Sequence, residues 1–377
     1  MQAFALTAYP LSSGYKQELE RALDGVPLYI SLTELRRLPP AAMLRTLRGL
    51  RGTALVPVED AGSATLVPVL EVLAALTRAA RIEVVEPDLA RRRVTRAAAA
   101  ASLAGLALAS LHGQISLRRR SRELAALLAA PRIEAGLGEP GSGVLYVNAN
   151  LWFGLKAGGS VGHVAGVVNA LAATGRPVEI ASAVEPLLVH DSVLRRPLGA
   201  PARFGLPSEV NVFRLHDQVV RALRDGLTGG GRPAFLYQRL SLGSFAGAEL
   251  SRRLHVPLVL EYNGSEVWVA RNWGRPLRYD ALALRAEEAS LRHAHLVVTI
   301  SDVLRDELIE RGVEAERIVT YPNCVDPERF DPERFTSAES NELRARLGIP
   351  ADATVATFLG TFGQWHGAET LARAIRT

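Results

Sequence analysis

The sequence predicts an α/β protein in three parts. These are a small α/β unit with a long helical region, a larger doubly wound parallel sheet, and the start of a further α/β unit. Two observations carry this. Short apolar runs that read as strands alternate with helix-length stretches, with Gly and Pro at the joins. A glycine-rich loop also follows one such strand and opens a helix, a geometry that suits an anion. At 48% hydrophobic and 22% charged residues the chain is globular, and 377 residues allow two or three domains. No fixed-period repeat is present.

The first part, residues 1–140, reads as strands at 26–32, 53–58 and 82–86 with helices at 39–50 and 64–80 between them. A long helical region follows from about Leu89 to Ala130. Residues 131–143, with Pro140-Gly-Ser-Gly143, form a linker, and no catalytic constellation precedes them. The second part, residues 141–335, opens with a strand at 144–148, the glycine loop at 154–162 and a helix at 163–174 ended by Gly175-Arg-Pro177. Further strands are expected at 178–182, 210–214, 234–238, 258–261 and 295–300. The third part, residues 336–377, holds a strand-like run at 355–360 leading into Thr361-Phe-Gly-Gln-Trp-His-Gly367.

Charge and cysteine content bound the partners. Cys324 stands alone, so there is no disulfide framework and a reducing compartment fits. Residues 1–140 carry 18 Lys and Arg against 13 Asp and Glu, while the remainder balances, so the net charge of +5 is N-terminal in origin. No nucleic-acid-binding motif accompanies that charge, and nucleic acid is not an expected partner. The N-terminus lacks a basic start followed by a long apolar core and does not read as a signal peptide. Residues 97–111 are apolar or small throughout, with Arg91, Arg92, Arg93 and Arg96 before them and Arg118, Arg119, Arg120 and Arg122 after. As a helix this segment spans about 22 Å, short of the roughly 30 Å hydrocarbon core of a bilayer. A buried domain helix is expected; a helix lying on anionic lipid is the alternative.

Several residues can carry chemistry. Small residues in the loop Lys156-Ala-Gly-Gly-Ser-Val-Gly-His163 let a backbone approach an anion at a helix N-terminus. The loop is not Gly-x-Gly-x-x-Gly, and no acid ends the strand at 178–182, which argues against nicotinamide binding. The loop also lacks the Gly-Lys-Ser/Thr ending of a P-loop, and a plain strand-to-helix turn is the alternative. Asn263 and Glu266 follow a strand's carboxyl end, where polar side chains of an open α/β sheet face the cleft. Asn263 can orient a hydroxyl but cannot act as a base; Glu266 can bind a hydroxyl or take a proton, unless it only pairs with Arg271 or Arg275. Arg239 ends the preceding strand, suited to an anion or else to a surface salt bridge. Ser301 caps the helix that follows it.

Together these motifs resemble the family 4 (group 1) glycosyltransferases of the GT-B fold over about residues 144–377. The run Leu151–His163 with its helix and Gly175-Arg-Pro-Val178 looks like the opening of their acceptor-side Rossmann-like domain. Pro322-Asn-Cys-Val-Asp326 looks like the Pro-Asn-Gly-Val-Asp turn into the interdomain linker, with Cys324 in place of Gly. Gly360–Gly367 looks like the start of the Rossmann-like donor domain, whose Gly-Arg-x-x-x-x-Lys-Gly loop neutralises the diphosphate; Thr361 and His366 hold the Arg and Lys positions here.

The resemblance implies a retaining transferase, hexosyltransferase-like, that moves a sugar from a nucleotide-diphosphate donor to a saccharide or lipid-linked acceptor hydroxyl. It implies Gly158, Gly159, Ser160, Gly162, Gly360, Thr361, His366 and Gly367 at the donor phosphates. His163, Arg239, Asn263 and Glu266 would stand at the acceptor, with Glu266 and Asn263 catalytic. The nucleotide sugar is a substrate, so no cofactor and no metal are expected. A cytoplasmic location fits, with peripheral contact at the inner face of the membrane. The family's later Glu-x7-Glu element needs a donor domain of about 150 residues, more than follows Phe335. The chain is therefore expected to be the N-terminal part of such an enzyme and inactive alone. The alternative is a non-catalytic saccharide-binding or membrane-surface adaptor module.

Overall fold

The computed structural model describes residues 3–9, 11–59, 65–136, 142–150, 159–199, 201, 204–274, 276–323, 327, 331–358 and 366–375. The first sheet has five strands, β1 (Ala3–Thr7), β2 (Leu28–Ser31), β3 (Arg51–Pro57), β4 (Arg78–Val85) and β5 (Arg91–Val94), in the order β2-β1-β3-β4-β5. All pairs are parallel except β4 with β5. Side chains alternate between faces along these strands. Phe4, Leu6, Val56 and Val84 enter one core, and Ala5, Leu55 and Val85 enter another. Helices α1 (Ser13–Leu23), α2 (Leu32–Arg37), α3 (Pro40–Gly49) and α4 (Val67–Ala75) connect the strands. Tyr15 and Leu19 of α1 close the second core, and Leu35, Leu47 and Leu70 the first.

Two expectations need correction in this part. Strand β1, inside the sheet between β2 and β3, has no counterpart in the sequence reading, and the region from Leu89 is not helical throughout: Arg91–Val94 forms the antiparallel edge strand. Helix α5 (Arg96–Ala129) begins only after Thr95, whose side chain caps it by accepting from Ala98 N at 3.1 Å.

Helix α5 joins the two sheets. Leu106 belongs to the core of the first sheet, Leu117 packs with Val210 and Phe213, and Leu124 and Leu127 belong to the core of the second. A Cβ on Gly113 would come within 2.7 Å of the Val210 side chain, so glycine sets how closely these helices approach.

The second sheet has seven parallel strands: β6 (Val144–Asn148), β7 (Val178–Ser182), β8 (Leu194–Pro197), β9 (Phe235–Arg239), β10 (Leu258–Tyr262), β11 (Leu296–Thr299) and β12 (Ile318–Thr320). Their order is β12-β11-β10-β9-β6-β7-β8. The chain runs outward from β6 to one edge and then returns to run outward from β9 to the other, the doubly wound arrangement. Connecting helices are α6 (Gly159–Ala173), α7 (Val210–Leu223), α8 (Ala246–Leu254), α9 (Glu266–Asn272), α10 (Asp280–His293) and α11 (Asp302–Glu310). Residues 210–214, expected as a strand, are the first turns of α7. Val210, Asn211, Phe213, Leu215, His216, Val219 and Leu223 are its buried positions, a helical spacing that outweighs the local Val-Asn-Val alternation. Beyond Phe335 lie α12 (Ser337–Arg346) and α13 (Ala368–Ala374); residues 355–358, expected as the start of a strand, are not in one.

Candidate functional site

The order of the second sheet reverses between β6 and β9, and the carboxyl ends of strands at such a point border a crevice. In register, Tyr146 of β6 lies opposite Tyr237 of β9, and Arg239 of β9 opposite Glu261 of β10. The two tyrosine rings stack with centroids 5.1 Å apart. The start of the second turn of α6 adds His163, and the residue after β10 adds Asn263.

Glu261 is the centre of this group. It is 1% exposed, and its Oε1 accepts from Arg239 Nη1 at 2.6 Å and from Asn263 Nδ2 at 2.6 Å. His163 Nε2 lies 2.9 Å from the same oxygen. Burial alone would raise the Glu261 carboxyl, but His163, Arg239 and Asn263 together hold it below the usual carboxylate range. Its charge and the surrounding burial push the Tyr146 and Tyr237 phenols up, burial being the larger cause.

Partnering here is incomplete. Among the described residues, Tyr146 Oη, Asn148 Oδ1, Glu261 Oε2 and Asn263 Oδ1 are buried without completing a hydrogen bond. Each such atom costs about 1–3 kcal/mol. Gathering toward the carboxyl ends of β6 and β10, they mark a place where a ligand's polar groups have something to gain.

The turn from β10 into α9 positions a second carboxylate. Gly264 takes φ of 109°, a left-handed conformation that favours glycine. Ser265 caps α9, accepting from Trp268 N at 3.1 Å, and donates its hydroxyl to Glu287 at 2.8 Å. Glu287, itself 1% exposed, also accepts from Val267 N at 3.3 Å and faces Arg311 at 3.5 Å. Glu266 is therefore held on the first turn of an anchored helix. Its carboxyl is raised by burial and by Glu287, against the opposing pull of Arg239. Arg271, a pairing candidate from sequence, is engaged by Asp280 at 2.6 Å, and Arg275 lies outside the described residues. Glu266 makes no ion pair among the described residues.

The structure thus brings together His163, Arg239, Asn263 and the neighbourhood of Glu266. The Arg239 pair is buried, not the surface salt bridge offered as its alternative role. Gly159, Ser160 and Gly162 open α6; a Cβ on Gly159 or Gly162 would meet nothing within 4 Å. Gly158, Gly360, Thr361 and Cys324 lie outside the described residues. His366 is exposed and lies against the Phe358 ring at 6.4 Å, and Gly367 precedes α13; the Glu261 group is built without them. Ser301 caps α11 as expected, accepting from Leu304 N at 3.3 Å. Glu261, Tyr146, Tyr237 and Glu287 were not singled out from sequence. The one available signal was a carboxylate inside an otherwise apolar strand.

This arrangement defines an open parallel α/β domain with a buried charged cluster at its topological switch point. Residues 157–329 match the Glycosyltransferase Family 4 model. Through this domain the chain is similar to the glycosyltransferases of family 4. Over 93 residues it is 30% identical to the Escherichia coli (strain K12) protein WcaI, named for colanic acid biosynthesis glycosyl transfer; the match covers 25% of this chain and 22% of that protein. Over 134 residues it is 27% identical to the Bacillus subtilis (strain 168) protein TuaC, named for teichuronic acid biosynthesis, covering 35% of this chain and 31% of that one. The solved structure of Anabaena HepE with UDP-glucose aligns at a TM-score of 0.43 and 17% identity, over 62% of this chain and 57% of that one. The aligned stretches span 22% and 31% of the curated relatives' lengths.

Proposed function

We propose that the protein serves transfer of a sugar from a nucleotide-diphosphate donor to a hydroxyl of a saccharide or lipid-linked acceptor, with retention at the anomeric carbon, on the cytoplasmic side of the membrane. The acceptor oxygen forms a bond to the sugar carbon as the bond to the diphosphate breaks. The diphosphate leaves with that electron pair, and the acceptor proton passes to a leaving phosphate oxygen on the same face. Stabilising the departing charge is then the main demand on the protein. The open start of α6 at Gly159, Ser160 and Gly162 gives room for phosphate oxygens at a helix N-terminus. Arg239, His163 and Asn263 orient the acceptor, and Glu266 accepts its hydroxyl hydrogen bond.

The observation that carries this reading is the concentration of incompletely partnered buried atoms beside a carboxylate that makes no ion pair among the described residues, at the switch point. Release of nucleotide diphosphate by the whole enzyme from a panel of nucleotide sugars, with saccharide acceptors added, tests it. Glu266→Gln is expected to lower acceptor-stimulated release about 100-fold. Saccharide binding without any release would replace the transferase reading with that of a binding module.

A further inference from the structure

We propose that the solvent-facing side of α5 is a docking surface for an anionic bilayer, on which the helix lies flat. Ala97, Ala104, Leu108, Leu111 and Ile115 follow helical spacing along one side. Leu108, Leu111 and Ile115 are 59%, 60% and 58% exposed, although apolar side chains of this size ordinarily find cover. The same spacing continues into Arg118, Arg119 and Arg122, all exposed. The stripe therefore passes from apolar to basic without changing face. Glu123 pairs with Arg119 at 2.9 Å, while Arg118 and Arg122 make no ion pair among the described residues, so the stripe keeps a net positive charge.

The helix does not cross the bilayer. Its opposite side is committed: Ala99, Leu106, Ala109, Leu117, Leu124 and Leu127 are buried against both sheets and the helix between them. Leaving those contacts would dismantle both cores. Lying flat, the apolar turns enter the acyl boundary by about 5–10 Å while the arginines reach lipid phosphates. Arg119 also borders a depression lined by Arg120, Arg221, Arg224, Arg252 and Arg253 against Glu123, Asp217 and Glu249, an excess of positive charge at the flank of the helix. A second copy of the chain would offer this stripe no acid to pair with, so charge complementarity selects the anionic surface.

This surface is independent of the transferase reading, and its test uses no activity. The protein is floated with vesicles of phosphatidylcholine and phosphatidylglycerol, and with phosphatidylcholine alone. Binding is expected only to the anionic vesicles, weakening as salt is raised. The triple variant Leu108→Ser, Leu111→Ser, Ile115→Ser should lose binding by about 10-fold or more. The pair Arg118→Gln, Arg122→Gln, which leaves the apolar turns and both cores intact, should lose about 30-fold, at roughly 1 kcal/mol per arginine. Thermal unfolding of each variant checks that the fold is kept. Flotation unaffected by both variants overturns the proposal. So does a parent protein that ignores anionic vesicles, including one that instead dimerises through this face.

Discussion

The two sheets share an architecture but treat buried polar groups differently. Among the described residues 3–95, no buried side-chain nitrogen or oxygen lacks a partner. Glu71, 6% exposed, accepts from Ser102 and faces Arg92 at 3.3 Å; Thr77 donates to Ala74 O at 2.6 Å and accepts from Ala79 N. In the second sheet, unpartnered atoms gather at the carboxyl ends of the strands around β6 and β10. Equal folds therefore carry unequal functions. The first sheet spends its polar chemistry on its own stability and on holding α5, and the second leaves part of it unused.

The largest expected effect tests that contrast directly. Glu261→Ala strands Arg239 and His163 in a buried site without their carboxylate and should cost about 3–5 kcal/mol. Glu71→Ala releases Arg92, whose side chain is 55% exposed and rehydrates easily, and should cost about 1 kcal/mol. Urea unfolding of both variants measures the difference. Equal losses would mean that the Glu261 group is no more demanding than an ordinary ion pair.

Within the second sheet, two carboxylates respond oppositely to pH. Glu261 is held below its ordinary value, so its contribution is present above the unfolded carboxylate range and lost as pH falls through the lowered value. Glu266 is raised, so the folded state holds its proton more tightly and stability declines as pH rises through and above the ordinary carboxylate range. Glu266→Gln is therefore expected to be more stable than the parent at neutral pH, with the gain vanishing in acid. Glu261→Gln should be less stable at neutral pH. Stability curves from acid to neutral pH check both signs; a Glu266→Gln variant destabilised at neutral pH would show that the ionised side chain has a partner.

Much of the fold is legible in the sequence because the second sheet's strands are short apolar runs set off by turn residues. Strands β6, β7, β9, β10 and β11 fall where those runs place them. Failures occur where pairing or packing decides. Residues 355–358 have strand-like composition but no strand, since a strand exists only through a neighbour. Val210–Arg214 alternates like a strand yet continues into buried helical positions at Leu215, His216 and Val219. At the site, Arg239, Asn263 and His163 were readable as polar residues at strand ends and a helix start. Glu261 was not, because its role depends on the register that sets it opposite Arg239, and register is absent from any single segment.

The smallest expected effect separates the regions through one piece of chemistry used twice. Ser31 caps α2 in a capping box, accepting from Glu34 N at 3.1 Å while Glu34 accepts from Ser31 N at 2.8 Å. All of it is exposed and local, so Ser31→Ala should cost about 0.5–1 kcal/mol. Ser265 makes the same kind of cap on α9, but its hydroxyl also donates to buried Glu287. Ser265→Ala removes the cap and a donor to a carboxylate that burial already raises, and should cost about 2 kcal/mol. Its loss should also loosen the turn that holds Glu266, raising KM for the acceptor, whereas Ser31→Ala leaves KM unchanged. Paired unfolding and kinetic measurements read both. If the two serines cost the same and KM stays fixed, Glu287 anchors α9 through Val267 N and Arg311 without help from Ser265.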